Sequence, residues 1–222
     1  MLFRVNLALR ALGALALGAA LLAGCATEPP LPPRAPVAID PAVADTAVFA
    51  GGCFWCMEGP FEALDGVGEV LSGYTGGTEA HPAYLDVAGG RTGHAEAVRV
   101  VFDRSRVSYE TLLRTFWHNI DPFDGGGQFC DRGQPYRPGI FYRTDAQRRL
   151  AEAMRDTLEA RFGRPVAAEI TPAGAFYPAE DYHQDFYRRE PARYRQYRQG
   201  CGRDARLDAL WGERARVPSD VL

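Results

Sequence analysis

Thr46-Ala47-Val48-Phe49-Ala50-Gly51-Gly52-Cys53-Phe54-Trp55-Cys56-Met57-Glu58 is the stretch from which the rest of this chain is best read. Thr46–Gly51 is apolar and has the length of a buried strand; two glycines then turn the chain, and a helix is expected over about Phe54–Leu64. Cys53 therefore stands at the mouth of a helix, where unpaired backbone N–H groups and the helix dipole favour a thiolate.

Working outward, Val67–Tyr74 reads as a second strand and Thr75–Gly93 as a glycine-rich loop. Ala95–Phe102 alternates as a third strand, with Ala95, Ala97, Arg99 and Val101 on one side and Glu96, Val98, Val100 and Phe102 on the other. The apolar spacing of Leu112, Leu113, Phe116 and Trp117 predicts a helix over Tyr109–His118, started at Ser108. Asp121–Gln134 reads as a loop, Gly139–Tyr142 as a strand, Asp145–Arg161 as a helix capped by Thr144, and Val166–Thr171 as a strand. Ala179–Arg189 is expected to be helical, and Arg188–Arg206, where Arg alternates with Tyr194 and Tyr197, reads as a solvated helix closing over the domain. The embedded order β-α-β-β-α-β predicts an α+β fold. It is a ferredoxin-like split βαβ plait, a two-layer α/β sandwich, with extra loops and C-terminal helices.

The chain has 222 residues, 46% hydrophobic and 24% charged, an ordinary balance for one catalytic domain. Its formal net charge of −3 becomes −5 without residues 1–24, which carry Arg4 and Arg10 and no acid, so nucleic acid is not an expected partner. All 25 basic residues are Arg. The absence of Lys excludes Schiff-base chemistry and a phosphate loop that needs a lysine, leaving Cys, His, carboxylates and Tyr to carry any reaction.

Residues 1–24 join a basic start to the apolar run Ala11–Ala23 and end in Leu22-Ala23-Gly24-Cys25, the pattern of a signal peptide. Leu-Ala-Gly-Cys resembles a bacterial lipobox, which implies that Cys25 becomes the lipidated first residue of the mature protein. Pro29–Pro36 holds five prolines in eight residues, so 25–44 reads as a semi-rigid tether. Ala26, where an Asp would resemble an inner-membrane retention signal, points to an extracytoplasmic lipoprotein facing the periplasm from the outer membrane.

Cys53 and Cys56 on their own admit other readings, half of a zinc site or a thioredoxin-like Cys-x-x-Cys. More specific is a series of separated motifs: Gly-Cys-Phe-Trp at 52–55, Gly-Tyr-Thr-Gly-Gly at 73–77, Pro82-Ala83-Tyr84, Gly-His-Ala-Glu-Ala-Val at 93–98, Asp131-Arg132-Gly133 with Tyr136-Arg137, and Tyr182-His183-Gln184. In that order they closely resemble the signature of the type A peptide methionine sulfoxide reductases, over roughly residues 46–187. The resemblance makes 45–222 a catalytic domain that reduces the S epimer of methionine sulfoxide in exported proteins.

It implies that Cys53 attacks the sulfoxide sulfur and that Glu96 is the acid serving its oxygen, with a pKa raised among apolar groups. Tyr84 and Tyr136 correspond to the two phenols that hydrogen-bond the oxygen, Asp131 to their polar partner, and Phe54 and Trp55 to the wall that receives the methyl group. His94 and His183 are expected to make structural hydrogen bonds. Attack leaves a sulfenic acid on Cys53, which a second thiol must convert to a disulfide. Cys201 is the favoured resolving residue and Cys56 the next, with Cys130 read as a small buried residue. No cofactor or metal is implied: the reductant is an external thioredoxin-like dithiol, and the protein is expected to be a monomer. One departure is Pro135, where the family carries Gln; a missing N–H there is expected to shift the Tyr136 loop.

Overall fold

The computed structural model describes residues 29–212. The signal peptide and Cys25 lie outside the described residues.

β1 (Ala44–Gly51) runs into α1 (Trp55–Glu62), followed by β2 (Val67–Thr75), the short α2 (Tyr84–Ala88), β3 (Ala95–Asp103) and α3 (Tyr109–His118). A two-residue hairpin pairs β4 (Gly127–Gln128) with β5 (Asp131–Arg132), and β6 (Pro138–Tyr142), α4 (Asp145–Phe162), β7 (Glu169–Pro172) and β8 (Phe176–Pro178) follow. The described residues end in α5 (Phe186–Arg189), α6 (Pro191–Gly200) and α7 (Arg203–Trp211). The sheet order is β7-β6-β1-β3-β2-β8. Its middle four strands, joined through α1 and α3, have the split βαβ order, all antiparallel to their neighbours. β7 extends one edge in parallel and β8 the other antiparallel.

Alternation along the central strands sets the two faces. Ala47 and Phe49 of β1 join Val98, Val100 and Phe102 of β3 under the helices, whereas Val48, Ala50, Ala95 and Ala97 meet Phe141 on the opposite side. Phe49 is fully buried and stacks on Phe61 of α1 at 5.1 Å and on Phe116 of α3 at 5.2 Å. That triple contact clamps both helices to β1, the strand that delivers Cys53. Ser108 and Thr144 cap α3 and α4 by accepting the N–H groups of Thr111 and Gln147, as their sequences predict.

The structure departs from the sequence reading in several places. The loop 75–93 contains α2, and the loop 121–134 contains the β4–β5 hairpin. Ala179–Arg189 is not one helix: a 3-10 turn at Asp181–His183 and α5 are separated by Asp185 in a left-handed conformation, with φ of 53°. β7 begins at Glu169, and β8 was not apparent from its short, aromatic sequence. The described part of the proline-rich segment is not a free spacer but lies along the domain. Leu31 N–H donates to Arg188 O at 2.8 Å, Val37 N–H to Gly68 O at 2.9 Å, and the Arg34 guanidinium to Val67 O at 2.9 Å. An extended proline-rich strand has exposed carbonyls and few internal bonds, so pairing with a neighbouring edge satisfies it. No helix among the described residues is long and apolar enough to cross a membrane.

Replacing Phe49 with Ala empties the contact between β1, α1 and α3; urea denaturation is expected to show a loss of about 3–5 kcal/mol.

Candidate active site

β1 ends in Gly51 and Gly52, and Gly52 has φ of 78°, a conformation that side chains resist. A Cβ there would also stand 2.5 Å from the Gln128 side chain. The turn places Cys53, 6% exposed, at the start of the helix, with Cys56 one turn on and 1% exposed.

The first free N–H of that helix is not left to the cysteine. Phe54 N–H donates to Glu96 Oε2 at 3.1 Å, across 42 residues of sequence. Register explains the reach: Glu96 pairs with Tyr74 in the ladder and points to the helix-covered face with Val98. Glu96 is 2% exposed. Burial pushes its carboxyl up to about 8; the Phe54 N–H opposes this, and the nearby charges of Asp131 and Cys56 add to it. The group is therefore a neutral acid near pH 7, with one oxygen held by Phe54 and the other able to carry the proton.

Two phenols face this acid. Tyr84 opens α2, where Glu180 holds it: one carboxylate oxygen accepts Tyr84 N–H at 3.0 Å and the other accepts the Tyr74 hydroxyl at 2.8 Å. Burial, then the charges of Glu96 and Cys53, push the Tyr84 phenol up to about 12, so it stays a donor. Tyr136 ends a 3-10 turn over Gln134–Tyr136, and burial followed by Glu96 and Tyr84 raises its phenol as well. Pro135 is accommodated in this turn. It sits at the start of the turn, where its missing N–H has no partner to lose, while Tyr136 N–H still donates to Gly133 O at 3.0 Å.

Asp131, in β5, accepts the hydroxyl of Tyr197 from α6, and that hydroxyl stands close enough to Cys53 to shift its thiol. Burial raises Asp131, against the pull of that hydrogen bond and of Arg203. Tyr197 escaped sequence reading because it lies in an arginine-rich stretch with the signature of a solvated surface. Only the return of α6 over the site shows its position.

Phe54 and Trp55 form the apolar wall. Trp55 stacks on Phe186 at 3.8 Å and donates its indole N–H to His183 Nδ1 at 3.2 Å, and the His183 ring lies 4.3 Å from Tyr84 and 5.0 Å from Phe54. Burial lowers the His183 imidazole, keeping it neutral as that acceptor. His94, fully buried, accepts Gly77 N–H at 3.3 Å and meets Glu79 O at 2.8 Å, a structural arrangement away from the cysteines.

The cysteines depart from two expectations. Cys53 was expected to ionise through the helix mouth, but Glu96 occupies that N–H and burial raises the Cys53 thiol well above its usual value, reinforced by Cys56. Cys56 is lowered to about 6, first by the hydrogen bond from Cys53 and then, against burial, by the Arg203 and Arg198 guanidinium groups. The two sulfurs behave as one dithiol sharing a proton, with the charge on Cys56. Cys201, the favoured resolving residue from the sequence, is joined to Cys130 in a disulfide with a Cα–Cα separation of 4.8 Å. Cys130 is exposed rather than buried, and Cys201 is held by it; Cys56 is the thiol beside Cys53.

The arrangement brings a thiol, a protonated acid and two phenols into one partly buried site. A family model described as peptide methionine sulfoxide reductase matches residues 45–215. The chain belongs to that family. The reductase is 50% identical to the peptide methionine sulfoxide reductase MsrA of Listeria innocua over 169 residues, which covers 75% of this chain and 96% of that protein. It is 54% identical over 152 residues to the MsrA of Streptococcus agalactiae, covering 68% and 90%. Among solved structures it resembles reduced Mxr1 from Saccharomyces cerevisiae, with a TM-score of 0.65, 29% identity, and coverage of 70% of this chain and 90% of that one. The methionine sulfoxide reductase A of Corynebacterium diphtheriae gives a TM-score of 0.62 at 30% identity, covering 74% and 86%. As a member of this family the reductase is a thiol-dependent oxidoreductase.

Replacing Glu96 with Gln is expected to lower kcat by about 10²–10⁴-fold. The same change is expected to stabilise the fold at alkaline pH. The carboxyl binds its proton more tightly folded (about 8) than unfolded (near 4.5), so its stabilising contribution is present below the unfolded value and lost as pH rises through about 8. Melting curves should show the Gln variant gaining on the parent between acidic and alkaline pH.

Proposed function

We propose that the reductase returns S-epimer methionine sulfoxide in peptides and proteins to methionine, with Cys53 as nucleophile and Cys56 as resolving thiol. The observation that carries this reading is the neutral Glu96 carboxyl, hydrogen-bonded to the backbone beside Cys53 and faced by Tyr84 and Tyr136. As the Cys53 sulfur bonds the sulfoxide sulfur, its proton passes along the hydrogen bond to Cys56, and Glu96 protonates the oxygen. The phenols of Tyr84 and Tyr136 hydrogen-bond that oxygen as charge builds on it, and Asp131 with Tyr197 holds Cys53 in place. The oxygen ends on Cys53 as a sulfenic acid, methionine departs reduced, and condensation with Cys56 releases water and forms a disulfide. An external thioredoxin-like dithiol then reduces that disulfide, so no cofactor is required. Phe54 and Trp55 receive the methyl group and select the epimer by shape.

The same reading places the protein outside the cytoplasm, as a lipoprotein anchored through Cys25, facing the periplasm from the outer membrane and repairing exported proteins as a monomer. Leu22–Cys25 supports this, as does the Cys130–Cys201 disulfide, a bond that persists in oxidising compartments.

The experiment is a single turnover. Reduced protein is given one equivalent of an S-epimer sulfoxide peptide without reductant, then alkylated and mapped by tryptic digestion. One equivalent of methionine and a Cys53–Cys56 disulfide are expected, with Cys130–Cys201 unchanged in protein that began with it. Cys53→Ser should form no methionine, and an R-epimer peptide should be left unreduced. A disulfide from Cys53 to Cys201 would contradict the assignment of Cys56.

A further inference from the structure

Arg203 is 1% exposed, yet no carboxylate lies within ion-pairing distance of it among the described residues. Its neighbours differ: Arg198 pairs with Asp204 and Arg206 with Asp121. A buried charge without an opposite charge is costly and is rarely kept without a partner. Arg203 is also the first residue of α7, after Gly202 in a left-handed turn, where the helix dipole disfavours a cation. Two local rules are thus broken at one residue.

Its contacts set it against the turn and the helix that carry the cysteines. One Nη2 donates to Gly51 O at 2.9 Å and Asn119 O at 2.8 Å, and the same atom approaches Met57 Sδ at 3.4 Å. Gly51 stands two residues before Cys53, and Met57 directly follows Cys56. Phe129 covers the guanidinium from the other side at 4.4 Å. Asp131 feels Arg203 as well but spends its hydrogen bond on Tyr197.

We propose that Arg203 is the counter-ion of the Cys53–Cys56 dithiol, holding its single negative charge on Cys56 so that Cys56 attacks the Cys53 sulfenic acid as a thiolate. This rests on the reading that Cys56 is the resolving residue. Cys56, which received the Cys53 proton in the first attack, returns it to the Glu96 carboxylate which that attack left behind. The Cys56 thiolate sulfur then forms the S–S bond, the S–O bond of Cys53 breaks, and the hydroxide leaves as water with that proton from Glu96, Cys56 being oxidised as the sulfenic sulfur is reduced. The other groups facing the pair are Glu96 from β3, Asp131 from β5, and Tyr194, Tyr197 and Arg198 from α6. Of these only Arg198 is cationic, and Asp204 already neutralises it. Arg203 is accordingly a positioning residue: it acts through Cys56 and does not touch the substrate.

The test is a pH titration of thiolate ultraviolet absorbance in reduced protein without substrate, with Cys56→Ser as the blank. Arg203→Gln keeps hydrogen-bond donors without the charge, and it is expected to raise the inflection by about one pH unit or more. Its sulfenic acid should also be resolved about twofold more slowly at about pH 7, with the deficit growing toward acidic pH, read by stopped alkylation after one turnover. Arg203→Lys keeps the charge without the planar fork and should leave the inflection near the parent value, which a purely structural role for the fork would not. If Arg203→Gln does not fold, Arg203→Met, which keeps the bulk of the buried side chain without its charge, takes its place in the titration and should give the same rise. An unmoved inflection in Arg203→Gln, or in Arg203→Met where the former is unfolded, overturns the proposal, as does an equal rise in the neutral and Lys variants. Because no substrate is present, this result is separate from the disulfide mapping that tests Cys56 itself.

Discussion

The hydrogen bond from Phe54 N–H to Glu96 Oε2 is the constraint on which the site depends. It closes the first orphan N–H of α1 with a carboxyl from the neighbouring layer, so it is at once a helix cap, a strand-to-helix tie and the placement of an acid beside a thiol. Each consequence comes from burial. In water the same carboxyl would be an anion near pH 7; inside the sheet–helix interface it keeps its proton.

The remaining site groups support that pair from separate elements. Glu180 anchors Tyr84 and Tyr74 together, and Asp131 holds Tyr197. Glu58 on α1, itself buried and raised by desolvation, accepts Ser72 Oγ at 2.8 Å and Asp185 N–H at 3.1 Å, fixing the start of α5. α5 in turn brings Phe186 flat against Trp55. Three carboxylates thus do positioning work at the boundary of the core, and their hydrogen bonds are long range in sequence. Such networks are expensive to leave half-made, which gives the site its rigidity.

Much of this was legible in the chain, for physical reasons that differ by element. The central strands read correctly because alternation along Ala95–Phe102 records two buried faces, and Ser108 and Thr144 were readable as caps because capping is local chemistry. Glu96 stood out as an acid on an apolar face. What escaped was non-local. α2 is five residues long with no periodic signal, β8 is three residues paired at an edge, and Asp185 breaks a helical pattern by a left-handed turn that serves Glu58 and Arg34. Tyr197 and Arg203 sit in a stretch whose composition describes a surface, and it is the docking of α6 and α7 that buries them. The pairing of Cys130 with Cys201 spans 71 residues and is likewise a property of the fold rather than of either cysteine's neighbours.

The ionisation of the cysteines follows from the same logic. A helix mouth favours a thiolate only where its N–H groups are free, and here Glu96 has taken the nearest one. The charge therefore moves one turn down the helix toward the guanidinium groups, and Cys53 is activated through its neighbour. The central claim is that Glu96 is a neutral acid in the folded protein at neutral pH, and infrared difference spectroscopy between the parent and Glu96→Gln measures it most directly. A protonated carboxyl carbonyl band belonging to Glu96 is predicted near neutral pH, fading as the pH is raised through about 8. A carboxylate band from Glu96 already present at neutral pH, with no carbonyl band to lose, would contradict it.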